Sequence, residues 1–140
     1  MRPVGTAIDF GSAEMWVRAT GAFKNQNRPE LAFHCCERAI EINPLHPVAW
    51  YEKGDYFITI KKYPESLRCV EESLVLDPKF WAAELLRAAN FTLLGRKAEA
   101  ISSFRRFLSL KPPSGTAPAE VENLTATARK QLARLEGEPR

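Results

Sequence analysis

The sequence is poor in the residues from which reactive sites are usually built. Its 140 residues include only 3 cysteines and 2 histidines, and an odd number of cysteines cannot form a complete disulfide framework. The 7 glycines are scattered, and none forms a phosphate-binding loop. No apolar run approaches the roughly 20 residues of a membrane-spanning helix, and the N-terminus lacks the apolar core of a secretory signal. We therefore expect a cytoplasmic protein without structural disulfides.

One cluster of potential metal ligands stands out, at His34, Cys35 and Cys36. Consecutive residues of a helix point about 100° apart, so these three side chains cannot face one metal ion. The spacing also lacks the paired form of a zinc site. Cys35 and Cys69 are interpreted as two small, half-buried side chains, with a redox pair as the alternative. We predict no metal, no cofactor and no enzymatic activity.

The charge of the chain is small but uneven. Apolar residues make up 45% of the sequence and charged residues 26%, as in folded globular proteins. The net charge of +3 is too small to indicate a nucleic-acid or membrane partner. Residues 81–114 carry more than the whole excess, and we interpret their basic residues as a solvated face, with an acidic ligand or nucleic acid as the alternative. The basic residues there are Arg87, Arg96, Lys97, Arg105, Arg106 and Lys111.

The same residue types recur along the chain every 34 residues. Large aromatic residues, small residues and prolines each recur at this spacing, which indicates three copies of one structural unit. The units are 13–46, 47–80 and 81–114. The recurring positions are Pro44, Pro78 and Pro112; Trp16 and Trp50; Phe23, Phe57 and Phe91; and Ala32, Ser66 and Ala100.

At these positions the chain resembles the tetratricopeptide repeat family, whose pattern is W-x2-L-G-x2-Y, then A-x3-F, then a proline. The second unit matches best, with Trp50, Gly54, Phe57, Val70 and Pro78 on the expected columns. The resemblance implies an all-α fold, a right-handed α-solenoid of three helix-turn-helix repeats. It covers the three units and says little about activity, because this fold serves many partners.

Local signals support two helices in each unit. In the second unit, Pro47 and Pro64 suit the first turns of helices, and the apolar face of the first helix includes Ile60. The buried stripe of the second helix is expected to end at Leu74 and Val75. In the third unit, Gly95 is expected to break the chain at its turn.

The two ends are expected to differ from the repeats. Residues 1–12 are predicted to be an N-terminal arm, and residues 115–140 a linker with a capping helix, so that 13–136 form a single domain. The helix starts near Pro118 and presents one apolar face. The alternative is that it fills a groove on this or another molecule. The apolar positions are Val121, Leu124, Ala128, Leu132 and Leu135.

The resemblance also implies where a partner would bind. In proteins of this family, the first helix of each unit lines a concave groove that holds a segment of a partner. Tyr51 is the expected anchor, because buried aromatic residues carry much of the energy of an interface. Whether Leu86 and Leu93 face the groove or the core stays open. The candidate binding residues are Val17, Arg18, Lys24, Val48, Tyr51, Glu52, Asp55, Ile58, Leu85, Ala89 and Thr92.

One use of the family groove is not expected here. Members that clamp the carboxylate tails of heat-shock chaperones use Lys, Asn and Arg side chains, which correspond to Val17, Gly21, Glu52, Ala82 and Leu86 in this sequence. We instead predict a protein-interaction adaptor that binds an amphipathic or apolar peptide. The alternative is a structural module that forms homo-oligomers.

Overall fold

The computed structural model describes residues 11–137 as seven helices without a strand. Ten of the twelve residues of the predicted N-terminal arm lie outside this range. Proline stands in the first turn of α2, α3 and α4, where its missing N–H leaves no hydrogen bond unmade. The helices are α1 (Ala13–Asn25), α2 (Pro29–Ile42), α3 (Pro47–Thr59), α4 (Tyr63–Leu76), α5 (Trp81–Leu93), α6 (Lys97–Ser109) and α7 (Pro118–Gly137).

The first six helices form three antiparallel pairs that stack in chain order. Within the pairs, α1 packs on α2, α3 on α4 and α5 on α6, and successive pairs join through α2–α3 and α4–α5. The first helices of the pairs also touch one another, α1 against α3 and α3 against α5. This arrangement is an all-α solenoid. The three units of 34 residues remain our proposed division of the chain, and each contains one helix pair.

The turn inside each pair has the same backbone conformation. Asn27, Lys61 and Gly95, spaced 34 residues apart, have positive φ angles of 59°, 65° and 74°. A left-handed residue after a helix ends it and lets the chain reverse. The prediction that Gly95 breaks the third unit at its turn agrees with this conformation.

Side-chain hydrogen bonds link the second pair to the third. The Ser66 hydroxyl donates to the Gly54 carbonyl oxygen at 2.7 Å, and the Asn90 amide donates to Ser66 Oγ at 2.9 Å. All three residues are buried. Because buried polar groups are costly unless paired, this chain of bonds favours one register between α3, α4 and α5.

The largest hydrophobic cluster lies at the C-terminal end of the solenoid. Trp81 stacks on Phe107 with ring centroids 4.8 Å apart, and Phe91 and Phe104 complete the aromatic part. Helix α7 packs against α6 and contributes Ala128 and Leu135 to the same cluster, with Val121, Leu124 and Leu132 packed around it. The helix therefore caps the apolar face of the last pair.

Three expectations about burial need correction. Val75 was expected in the buried stripe of α4 but is 74% exposed, and Ile60, expected on the apolar face of α3, is 42% exposed. Val75 lies in the last turn of α4, where Leu74 is the buried side chain, and Ile60 is the residue that caps the C-terminus of α3. Cys35 and Cys69, expected to be half-buried, are both buried.

None of the helices in the part of the chain that the structure describes is both long and apolar enough to cross a membrane.

Candidate functional site

An apolar groove lies between α3, α5 and α7. It has a volume of about 530 Å³ and is open to solvent along one side. Three predicted binding residues, Tyr51, Leu85 and Ala89, meet there. The full lining is Tyr51, Trp81, Ala82, Leu85, Leu86, Ala89, Pro113, Thr116, Glu120 and Leu124. A concave surface of this size with few polar groups is suited to binding apolar side chains.

Tyr51 forms one edge of the groove floor. Its ring lies 5.2 Å from that of Phe80, measured between centroids, and packs against Val70, Leu74 and Ala83. Burial raises the pKa of its hydroxyl to about 12, and the negative charges of nearby carboxylates add to the shift. The ring is thus held in place by its neighbours and remains neutral at physiological pH.

A smaller and more polar cavity of about 140 Å³ adjoins α1 and α3. Lys24, Glu52 and Asp55 line it, and Lys24 Nζ lies 2.9 Å from a carboxylate oxygen of each acidic residue. Burial alone would lower the pKa of Lys24, but its hydrogen bonds to Glu52 and Asp55 outweigh burial and raise it. These three predicted residues form one ion cluster that ties α1 to α3.

The other five candidates line neither cavity. Val17, Val48, Ile58 and Thr92 are half-buried, and Arg18 is exposed on α1. Val17 packs beside a small cluster of three alanines between α1, α2 and α3. The Thr92 hydroxyl donates to the Ala88 carbonyl oxygen, 2.9 Å away within its own helix.

The structure adds groove residues that the repeat pattern did not indicate. Pro113 and Thr116 come from the linker, and Glu120 and Leu124 from the first turns of α7. The apolar spacing of α7 predicted Leu124 as a packing residue, but no periodic signal placed Glu120 beside Tyr51.

The two leucines of α5 whose direction was open behave differently. Leu86 both lines the groove and packs against the buried cluster of Val70, Leu74 and Ala83. Leu93 is 52% exposed and lines neither cavity.

The cysteines are protonated at neutral pH. Cys36 is fully buried, its thiol donates to the Phe33 carbonyl oxygen at 3.0 Å, and burial raises its pKa to about 12. Burial also raises the pKa values of Cys35 and Cys69. All three are free thiols. In the described part of the chain, no three His, Cys, Asp or Glu side chains converge as a metal site would require.

No protein-family model matches the chain. A curated relative is the anaphase-promoting complex subunit CDC16 of Saccharomyces cerevisiae, 28% identical over 80 residues, which are 57% of this chain and 9% of that protein. The chain therefore aligns with only a small part of that relative's length.

Solved structures resemble the fold over nearly its whole length. The Yersinia enterocolitica type III secretion chaperone SycD, in complex with a peptide of the translocator YopD, gives a TM-score of 0.78 at 15% identity and covers 94% of this chain and 97% of SycD. The Arabidopsis OM64 TPR domain gives 0.74 at 20% identity, covering 88% and 95% of the two chains. The second TPR domain of human RPAP3, bound to an HSP70 peptide, gives 0.71 at 20% identity, covering 91% and 100%.

This is a tetratricopeptide-repeat fold. The structure also shows what occupies the five positions that correspond to the chaperone-tail clamp. Glu52 is held by Lys24, and Ala82 and Leu86 line the apolar groove. Gly21 provides no side chain beyond its Cα, and Val17 packs beside the alanine cluster. None of these five residues is a cation.

The basic residues of the third repeat are largely paired with carboxylates. Glu84 is fully buried and accepts from Arg87 at 2.8 Å and 3.0 Å, and Arg106 Nε lies 3.6 Å away. Arg96 pairs with Glu99 at 2.6 Å, and Arg105 pairs with Glu136 of α7. These pairs reduce the net positive charge that an acidic ligand would meet.

Proposed function

We propose that this tetratricopeptide-repeat chain is a non-catalytic interaction adaptor that binds an apolar or amphipathic peptide in the groove between α3, α5 and α7. One observation carries the proposal. The groove is large, open and mostly apolar, and Tyr51 stands at its edge with its ring fixed by Phe80. An apolar surface of this kind gains free energy when a ligand removes it from water.

The structural relatives support a peptide as the ligand class, since SycD and the RPAP3 domain were each solved with a bound peptide. Within our proposal, Tyr51, Leu85 and Ala89 contact the apolar side chains of the peptide. The ion cluster of Lys24, Glu52 and Asp55 lies beside them, and the remaining candidates extend the surface along α1, α3 and α5. The extended set is Val17, Arg18, Val48, Ile58 and Thr92.

The experiment begins with peptides selected against the purified chain from a random displayed library. Binding of a labelled peptide is then measured by fluorescence anisotropy to the wild type and to Ala89→Arg. Ala89 is half-buried and lines the groove, so the arginine fills the site without removing a core side chain. We expect the affinity to fall at least tenfold.

The matched control is Ala98→Arg, which places the same side chain at an exposed position on α6. It should bind like the wild type, and circular dichroism should show the same helix content in all three proteins. A peptide that binds Ala89→Arg as tightly as the wild type would place the site on another face and refute the proposal.

A homo-oligomeric module is the second candidate, and exposed apolar side chains favour it. Leu45 follows the C-terminal end of α2 and is 69% exposed, and Val75 lies in the last turn of α4 and is 74% exposed. Light scattering over a hundredfold range of concentration distinguishes the two functions. A mass that stays at 15.8 kDa supports the adaptor, whereas a mass that rises with concentration and falls again in Val75→Lys supports self-association.

A further inference from the structure

The charged groups around the apolar groove are mainly acidic. Glu120 lies on the α7 side, exposed to solvent, and lines the groove together with Tyr51. Glu52 and Asp55 of α3 line the adjoining smaller cavity, where they share the single ammonium group of Lys24. Two carboxylates bound to one cation leave a net negative charge in that cavity.

Within residues 11–137, no cation balances the charge of the Glu120 carboxylate. Among the described residues, no Lys, Arg or His side chain forms an ion pair or hydrogen bond with it. On α1, Lys24 is already engaged by two carboxylates, and Arg18 is exposed but lines neither cavity. The groove wall therefore offers an acidic group that its own cations do not neutralise.

Tyr51, at the edge of the groove, lies near the same carboxylates. Burial raises the pKa of its hydroxyl, the negative charges of Asp55, Glu52 and Glu120 raise it further, and the positive charge of Lys24 lowers it. Three carboxylates and one ammonium group therefore act on Tyr51, although its immediate contacts are apolar.

A bound peptide would cover part of this acidic wall. Removing a carboxylate from water costs free energy unless the ligand supplies a cation, and like charges placed opposite each other are repelled. An apolar peptide without charge leaves Glu120 partly desolvated and unpaired, and an acidic peptide adds repulsion to that cost.

We propose that the groove is selective for apolar peptide segments that carry Lys or Arg beside their apolar residues. This inference rests on the proposed function, and it specifies the charge of the partner. Its physical basis is an apolar groove lining at Tyr51, Leu85 and Ala89 that also contains the Glu120 carboxylate. The net negative charge of the Glu52–Asp55 pair in the adjoining cavity adds to it.

The test uses three short synthetic peptides with one common Leu- and Ala-rich core and Lys, Gln or Glu at both ends. Their affinities for the full chain are measured by isothermal titration calorimetry. We expect the Lys peptide to bind about tenfold more tightly than the Glu peptide, because two partly exposed charge pairs change sign between them. The difference should shrink in high salt.

A charge reversal locates the effect. Glu120→Lys should remove most of the preference for the Lys peptide, whereas Glu122→Lys, an exposed position on α7 outside the groove lining, should keep it. Equal binding of all three peptides, or tighter binding of the Glu peptide, overturns the charge selectivity and leaves the groove as a peptide site. If none of the three peptides binds, the proposed function fails with it.

Discussion

Asn27, Lys61 and Gly95 occupy equivalent turn positions, all with positive φ angles. Of the three, the glycine adopts this backbone conformation without strain. Their φ angles of 59°, 65° and 74° lie in the left-handed region. A residue with a Cβ pays roughly 1–2 kcal/mol there, and Asn tolerates it better than Lys. The turn of the second repeat therefore stores strain that the turn of the third does not.

Replacement of this lysine should stabilise the protein. We expect Lys61→Gly to raise the free energy of unfolding by about 0.5–1 kcal/mol, since the relief of strain exceeds the entropic cost of glycine. Urea unfolding followed by circular dichroism measures the change. Lys61→Ala removes the same side chain but keeps the Cβ, so it should give no such gain.

The third turn provides the reverse experiment. Gly95→Ala should lower the free energy of unfolding by about 1–2 kcal/mol. Nothing lies within 4 Å of the added Cβ, so this loss reports the backbone alone. A neutral Gly95→Ala variant would show that the turn relaxes and that the strain argument is wrong.

Ionisation of the Tyr51 hydroxyl makes the stability of the folded protein depend on pH in the alkaline range. Its pKa rises from about 10 to about 12 on folding because the hydroxyl is buried and lies near carboxylates. The protonated form is therefore favoured in the folded state, so its contribution is complete below pH 10 and is lost as the pH rises through 12.

We expect Tyr51→Phe to lose less stability than the wild type between about pH 10 and 12. Urea unfolding of both proteins at a series of pH values measures the difference. The Cys36 thiol, whose pKa is also raised to about 12, remains in both proteins and acts as a common background. Parallel curves for the two proteins would contradict the assignment of this shift to Tyr51.

At the scale of the helix, Gly54 sets how closely α3 approaches α4. A Cβ at this position would lie 2.8 Å from Val70 Cγ2 and 3.2 Å from the Ser66 carbonyl oxygen. Val70 and Ser66 are both fully buried and cannot move aside easily. By contrast, nothing lies within 4 Å of a Cβ added at Gly21 in α1.

The same substitution should therefore have opposite effects in the two helices. Gly54→Ala should destabilise the protein by about 1–3 kcal/mol through overpacking. Gly21→Ala should stabilise it by about 0.5–1 kcal/mol, because alanine is the better helix former. Thermal and urea unfolding of the two variants tests this. A destabilised Gly21→Ala would mean that α1 packs more closely against a neighbour than the structure shows.

The helices of the repeats were predictable from sequence because three copies repeat the same local signals. Pro47 and Pro64 fall in the first turns of α3 and α4. The wall formed by α7 was not predictable in the same way. The linker occurs once, so no second copy reveals its path, and Glu120 meets Tyr51 only through that path.

Long-range ion pairs also lie beyond what spacing can show. Lys24 and Glu52 belong to different repeats, and their contact depends on how far the first pair is rotated against the second. Val75 is the opposite case, because the spacing predicted a buried side chain that the structure shows to be exposed. Its position continued the apolar stripe of α4, but Leu74 in the same turn is buried and the next side chain points about 100° away from it. Val75 is therefore 74% exposed.

For the whole molecule, the hydrophobic core is concentrated toward the C-terminus. The cluster around Trp81, Phe91, Phe104 and Phe107 includes α7, whereas the buried cluster that holds α1 consists of three alanines. In a solenoid, stability is approximately a sum of repeat and interface terms. The first repeat should therefore open more easily than the third.

Native-state hydrogen exchange should show this gradient, with the amides of α1 exchanging fastest and those of α5 and α6 slowest. Leu135→Ala should lower the global free energy of unfolding by about 2–4 kcal/mol, because the side chain is buried in the large cluster. The protection of amides should fall in α5 and α6, because residues of these helices belong to the same cluster as Leu135. The free energy of local opening of α1 should stay unchanged. Leu93→Ala, at an exposed position, should shift neither. Uniform protection from α1 to α7 would instead mean that the three pairs unfold as one unit, and the groove would then form and disappear with the whole fold.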